Sequence, residues 1–387
     1  MFKGKNILVI GDAWQYIEFY LIEKLHLNII LFQEFGKEEN DKPKLYKELY
    51  YLDFSNKTKY LNLAKKLHEI YNFSCVVSYN DKGTIIACEI SNLLGLPCNS
   101  SFAVNLVDNK GELRRFLKNN SLSNIEYFVV KKGEKFTRKD IFPCVAKPID
   151  GLGSINVKLI KNYDDLQKYL RDAKSDTILE EYLDGPEVSV ETISFEGKHS
   201  ILQITDKFTE NFIEIGHAMP SQFSSNYELR QLILDFLDLI NEENGPCHIE
   251  VKMTKKGPKI VEAHTRPGGD FIVLLLAEIF GVDVLCLPIQ YFITNQIPSF
   301  SINNKGAGCV LYFNSNPGKI ISIEGYEEVI KDPRVINYEI NIKPGDVVKK
   351  FDSSFTRSGC IVVKGENVQD ALKYGKTLLD KIKITVR

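Results

Sequence analysis

Residues 248–270 read HIEVKMTKKGPKIVEAHTRPGGD and gather two carboxylates, imidazoles and a guanidinium in one short stretch. Apolar and polar residues alternate with period two on either side of Lys255-Lys256-Gly257, which predicts an antiparallel hairpin. On such a hairpin Glu250 and Glu262 point to one face, beside His264 and Arg266. Two acidic residues with a nearby arginine suit magnesium shared with phosphate oxygens better than an all-protein metal cage. The competing reading is a solvated charged hairpin, because alternating strands usually turn charges outward.

A second stretch, FPCVAKPIDGLGSINVKLI from Phe142 to Ile160, places Gly151, Gly153 and Ser154 between two β-rich runs, at a hairpin tip. It lacks the Gly-Lys-Ser/Thr ending of a P-loop, and no GxGxxG follows the first strand. Glycine still lets backbone N–H groups approach phosphates closely, and Lys147 could add a point charge. A plain turn is the commoner role of such a tip. In the third stretch, TILEEYLDGPEVSVETISFEG from Thr177, a short strand ends at Glu180-Glu181-Tyr182-Leu183, turns at Asp184-Gly185-Pro186 and resumes with Glu187. Main-chain groups of such a connector can hydrogen-bond a flat base while Glu187 accepts from sugar hydroxyls; an acidic hairpin without a ligand is the alternative.

Read in order, Lys110, Lys147 with the glycine loop, Glu180 to Leu183 with Glu187, then Glu250, Glu262 and Arg266 make the chain resemble the ATP-grasp superfamily of carboxylate–amine ligases across residues 5–385. The segments EIGHAMPS from Glu214 and HTRPGGD from His264 are most similar to the L-amino acid ligases that form dipeptides or similar amides. The resemblance implies an α/β and α+β chain with an ATP-grasp fold. An N-terminal Rossmann-like parallel-sheet lobe, a central ATP-binding lobe and a C-terminal α+β lobe would be divided at residues 1–105, 106–196 and 197–387.

The resemblance also implies roles. Lys110 and Lys147 would contact ATP phosphates, with Gly151, Gly153 and Ser154 closing over them. Glu181, Tyr182 and Leu183, next to Glu180, would hold adenine, and Glu187 the ribose. Glu250 and Glu262 would hold magnesium, Arg266 would sit near the transferred phosphoryl, and Glu214 and His217 would line the amino-acid pocket as candidate bases. One departure stands out: His264 replaces the asparagine of the usual Glu-x-Asn motif. Imidazole is a poorer magnesium ligand than an amide oxygen. Either His264 stays off the metal, a second metal is held loosely, or manganese is tolerated.

Bulk properties narrow the classes. With 49 basic and 51 acidic residues in 387, there is no overall field for nucleic acid; the resemblance implies small-molecule carboxylate and amine partners and leaves a homodimer open. Eight scattered cysteines without a CxxC read as reduced thiols, which favours the cytoplasm. The N-terminal apolar run is too short for a signal segment. Residues 271–291 form the most membrane-like run, but Glu278, Gly281 and Asp283 interrupt it, so two buried helices are expected.

Strands at Ile7–Ile10, Ile29–Phe32 and Ser74–Ser78, with helices running to Leu25 and over Lys82–Leu94, predict a parallel α/β layer. Further helices are expected at Asp108–Asn119, Asp164–Asp172, Glu228–Glu242 and Val368–Lys381, the last packing through Ala371, Tyr374, Leu378 and Leu379. His248 shares the strand face of Glu250 and could touch the site or be an ordinary strand histidine. Trp14 is assigned to packing or a lobe interface, and His26, His68 and His199 to surface positions. Two other readings compete with amide ligation: an ATP-grasp ligase of purine or biotin-type metabolism using formate or bicarbonate, and a nucleotide sensor without chemistry. No Ala-Met-Lys-Met biotin-attachment sequence is present, and both acidic metal positions and Arg266 are more than a sensor needs.

Overall fold

A computed structural model describes residues 2–11, 20–36, 46–151, 153–304 and 306–387; Trp14 and most of the first predicted helix lie outside them. Four parallel strands stand in the order Glu48–Leu52, Asn28–Glu34, Asn6–Ile10, Cys75–Ser78. Leu8, Ile10, Ile30 and Phe32 pack with buried residues of helices Lys57–Tyr71 and Asp81–Leu94. Ile7, Val9, Ile29 and Leu31 pack with helices Ile272–Phe280 and Cys286–Thr294. Burial on both faces explains the unbroken apolar runs in these strands. It also explains the two hydrophobic helices, which cover the N-terminal sheet. Among the described residues no helix is long and apolar enough to cross a membrane. The strand Glu48–Leu52, reading ELYYL, is an element the apolar pattern did not announce.

The helix expected at Asp108–Asn119 is two helices, Ser101–Asp108 and Lys110–Asn119. Asn109 breaks them with an extended backbone, and its side chain accepts from Glu112 N at 3.0 Å. Lys110 thereby becomes the first residue of a helix. A four-stranded antiparallel sheet follows, in the order Tyr127–Val130, Thr177–Glu181, Cys144–Pro148, Lys158–Ile160, with helix Tyr163–Asp172 on one face.

The largest sheet has eight antiparallel strands, ordered Gly257–His264, Gly245–Thr254, Glu187–Phe195, Lys198–Glu210, Ile213–Met219, Ala307–Phe313, Gly359–Gly365, Val335–Ile340. Its Val188, Val190, Ile204, Ile249, Val251 and Ile260 pack on Leu229, Ile233, Phe236 and Leu237 of helix Tyr227–Leu239. The chain passes from the small sheet to the large one at residues 182–186. Helix Val368–Leu379 covers Cys309, Leu311, Ile361 and Val363 through Ala371 and Leu378, with Tyr374 and Leu379 at the margin.

One histidine assignment is corrected: the His199 side chain is only 5% exposed, its Nδ1 2.7 Å from Ser194 Oγ and its Nε2 3.2 Å from Asp238. The cysteines are free thiols, and Cys75, Cys144 and Cys309 are buried as expected.

Candidate active site

Two hairpins bring the acidic residues together, each through a bulge. In the Gly245–Thr254 and Gly257–His264 pair the register slips between Glu250 and Val251, so Glu250 lies directly opposite Glu262 instead of Val261. Bulges commonly re-aim side chains in this way. Between Glu187–Phe195 and Lys198–Glu210 a slip between Ile201 and Gln203 sets Lys207 opposite Glu187. His248 pairs with both Glu191 and His264, and Ser189 with Glu250. The face opposite the apolar core therefore carries Glu187, Glu191, Lys207, His248, Glu250, Glu262 and His264.

Lys207 occupies the centre of this face. Its ammonium is 2.6 Å from Glu250, 3.0 Å from Glu187 and 3.5 Å from Glu214, and its side chain is 2% exposed. Burial alone would lower its pKa, but the three carboxylates outweigh burial and hold it well above the lysine range. Burial likewise opposes the charge on Glu250, and Lys207 and His248 hold that carboxyl well below its ordinary value. His248 lies 2.6 Å from Glu191 and 3.4 Å from Glu250, so it is a buried member of the cluster.

Lys110 reaches across from its helix start to Glu262 at 2.8 Å and donates to Gly151 O at 2.7 Å. Lys147 sits 2.8 Å from Glu180, which also receives Arg114 Nε. Arg114 donates on to Ile260 O and Val261 O, each at 2.7 Å, and so ties the small sheet to the acidic hairpin. Burial favours protonated Glu180, yet the two cations bring its pKa down to about 2. Its carboxylate faces inward and orients Lys147. At the connector, Glu181 N and Tyr182 N donate to Glu126 O and Pro143 O at 2.9 and 3.3 Å. Glu187 is held by Lys207 and by Lys252 at 3.2 Å.

Arg266 forks onto Asp81, Nε to Oδ1 at 2.9 Å and one terminal nitrogen to Oδ2 at 3.1 Å. His264 Nδ1 is 2.8 Å from the same carboxylate, while its Nε2 is 3.6 Å from Glu262. Burial opposes the charge of Asp81, but His264 and Arg266 hold it far below the carboxylate range. Asp81 opens helix Asp81–Leu94, so the N-terminal domain contributes directly to the site. His217 and Glu214 lie on Ile213–Met219; His217 Nε2 is 3.1 Å from Asp270, and Glu214 accepts from Ser354 Oγ at 2.5 Å. Asp270 and Phe271 have φ of 52° and 63°, two consecutive left-handed non-glycine residues. Such strain persists only where neighbours over-determine it, here the Arg357 fork on Asp270 at 2.9 and 2.7 Å.

Of the expected residues, Lys110, Glu187, Glu250 and Glu262 thus gather around Lys207 and His264, Arg266 and His264 meet at Asp81, Glu214 also reaches Lys207, and Lys147 is held apart by Glu180. Local pattern did not disclose Lys207, Asp81, Glu191, Asp270, Ser354 or Arg357; alternation in Gln203, Thr205, Lys207 and Thr209 was the one available signal for Lys207. Magnesium held through two carboxylates and nucleotide phosphates needs no larger protein cage, and Glu250 opposite Glu262 fits that donor set through the oxygens that Lys207 and Lys110 do not hold.

The fold is an ATP-grasp fold, and residues 141–273 match the ATP-grasp domain family. Residues 311–387 match the L-amino acid ligase C-terminal domain 2, so the chain carries both modules. The crystal structure of an L-amino acid ligase from Bacillus licheniformis superposes with a TM-score of 0.87 at 19% identity, covering 100% of both chains. Phosphoribosylglycinamide synthetase from Anaerococcus prevotii superposes at 0.76 with 16% identity, also covering 100% of both. These likenesses establish the fold. Human carnosine synthase 1 is 22% identical over 241 residues, 54% of this chain and 29% of that protein. D-alanine–D-alanine ligase from Flavobacterium johnsoniae is 29% identical over 129 residues, 31% of this chain and 40% of that protein. The match thus spans less than half the length of either of these two relatives.

Proposed function

We propose that this chain joins a carboxylate to an amine at the expense of ATP, forming an amide between L-amino acids or amino-acid-like substrates through an acyl phosphate and releasing ADP and phosphate. The observation that carries the reading is the convergence of Lys110, Lys207, Glu250 and Glu262 beside a glycine hairpin, with Arg266, Glu214 and His217 on the adjoining wall.

Lys110 and Lys147 supply point charges for the phosphates, and Gly151, Gly153 and Ser154 cover them. Leu183 and the carbonyls of Glu181 and Tyr182 serve adenine, because the N–H groups of those two residues are engaged by Glu126 and Pro143. Glu187 takes the ribose. Glu250 and Glu262 would hold magnesium, which when bound neutralises charge on the phosphates. His264, engaged with Asp81, acts by orienting Glu262 instead of binding metal.

A carboxylate is a poor electrophile, and phosphorylation gives it a good leaving group. Arg266, held by Asp81, offers its guanidinium to the oxygens on which charge develops. Glu214 would receive the ammonium of one amino acid, and His217, whose Nε2 meets Asp270, would accept a proton from the attacking amine. Closure of the hairpin excludes water from the acyl phosphate. Buried free thiols suit a reducing compartment, so a cytoplasmic location belongs to the proposal.

The test is ADP release with pairs of amino acids, with products read by mass spectrometry. Amide formed in step with ADP supports the reading. ADP release driven by bicarbonate or formate, or tight nucleotide binding without turnover, would replace it.

A further inference from the structure

A short run of the C-terminal domain, Ser353–Arg357, touches both the glycine hairpin and the wall carrying Glu214. Ser354 N donates to Gly153 O at 3.2 Å, and the Ser354 hydroxyl donates to Glu214 Oε2 at 2.5 Å. Arg357 donates from Nε to Ser354 O at 2.7 Å and forks onto Asp270, which also meets His217. The guanidinium lies 3.7 Å over the Tyr312 ring, so it is held from two sides. Thr356 Oγ1 accepts from Asp352 N and Ser353 N, each at 3.2 Å, which fixes the shape of the turn.

Phe355 is 73% exposed, yet its ring lies against the hairpin: a Cβ on Gly153 would come within 2.4 Å of Phe355 Cε2, and φ at Gly153 is +58°. Core burial therefore does not explain the placement of this ring. Ser154 Oγ donates to Phe212 O and Lys110 to Gly151 O, each at 2.7 Å, while Ser175 Oγ donates to Asp150 at 2.9 Å and the Tyr169 hydroxyl to Asn156 O at 2.8 Å within the hairpin's own lobe. Glycine-containing loops beside a nucleotide site are the segments that close over ligands.

We propose that Ser354, Phe355 and Arg357 are positioning residues that couple closure of the glycine hairpin over the nucleotide to occupation of the amino-acid pocket. The inference rests on the ligase reading above. An ammonium arriving at Glu214 fixes that carboxylate, the carboxylate fixes the Ser354 hydroxyl, and the Ser354 N–H holds Gly153. Arg357 keeps the turn in place and transmits the state of Asp270 and His217 to the Ser354 carbonyl. Linkage makes the effect reciprocal: an amino acid that favours the closed hairpin must tighten nucleotide binding, and the nucleotide must tighten amino-acid binding by the same factor. The consequence for the reaction is that phosphoryl transfer begins with both ligands in place, which limits loss of the acyl phosphate to water.

The experiment measures equilibrium binding of magnesium β,γ-imido-ATP to the full chain, alone and with each standard L-amino acid in turn. In the wild type at least one amino acid should tighten the nucleotide analogue by about fivefold or more, the lower end of ordinary allosteric coupling. Ser354→Ala and Phe355→Ala should reduce that factor to within about twofold, with unchanged circular dichroism and melting temperature. Arg357→Lys, which keeps the charge but loses the fork, should fall between. Should Arg357→Lys fail to fold, the other two variants carry the test. Folded Ser354→Ala and Phe355→Ala proteins that couple as the wild type does, or a wild type that shows no coupling, would overturn the proposal. A wild type that couples the ligands yet makes no amide would instead remove the ligase reading.

Discussion

Lys207 Nζ lies 2.6 Å from Glu250 Oε1, with the lysine side chain 2% and the glutamate side chain 17% exposed. Breaking a buried pair strands the remaining charge, which costs about 3–5 kcal/mol. Lys207→Met is therefore expected to lower the unfolding free energy by about 3 kcal/mol or more and to abolish turnover. Adding Glu250→Gln to that variant should restore part of the stability but none of the activity, because Glu214 still lacks Lys207, Glu187 keeps only Lys252, and one of the two facing carboxylates is gone. Denaturant unfolding of the single and double variants checks both statements.

Arg266 and Asp81 make the next outcome. Arg266→Ala should lower kcat by about a hundredfold, in the range seen when a group that stabilises transition-state charge is removed. Asp81→Asn keeps the shape but weakens the fork and should cost kcat about tenfold, with little change in the KM for ATP. Glu214→Ala should instead raise the KM for one amino acid. Steady-state kinetics with saturating ATP separates the three, and an Arg266→Ala enzyme with unchanged kcat would end its assignment.

Stability should decline across the neutral-to-alkaline range. Burial pushes Glu242 from 4.5 up to about 8, with its one hydrogen bond from Asn99 at 2.8 Å. Burial would lower His248, but Glu191 outweighs it and raises the imidazole from 6.5 to about 9. Both folded-state values exceed the unfolded ones, so the folded chain binds more protons and stability falls as pH rises. The Glu242 contribution is full below 4.5 and gone above about 8; the His248 contribution is full below 6.5 and gone above about 9. Melting temperature should drop between pH 6.5 and 9, and Glu242→Gln should flatten the lower part of that drop.

The residues legible in the sequence were those whose neighbours in space are also neighbours in the chain. Period two on either side of Lys255-Lys256 disclosed the acidic hairpin, and the glycines between two β-rich runs disclosed the hairpin that joins Cys144–Pro148 to Lys158–Ile160. Bulges defeated finer counting: from the Glu196-Gly197 turn a regular register sets Asp206, not Lys207, opposite Glu187. Asp81 meets Arg266, and Asp270 meets Arg357, only through the packing of distant elements, and no local pattern carries such pairings. His199 was misplaced for a similar reason, since the Asp238 that holds it lies on a helix far along the chain.

Glu262→Gln removes one carboxylate of the facing pair and leaves a neutral group of the same size next to Lys110. The folded variant is expected to lose phosphate release entirely. Near-normal turnover would remove Glu262 from the metal assignment.

The most direct measurement follows oxygen. With the carboxylate substrate labelled in both oxygens by the heavy isotope, phosphoryl transfer to that carboxylate and attack by the amine must leave one labelled oxygen in the released phosphate. Mass spectrometry of that phosphate should show one label per amide formed. Amide formation with unlabelled phosphate would contradict the acyl-phosphate route and the reading of the site built on it.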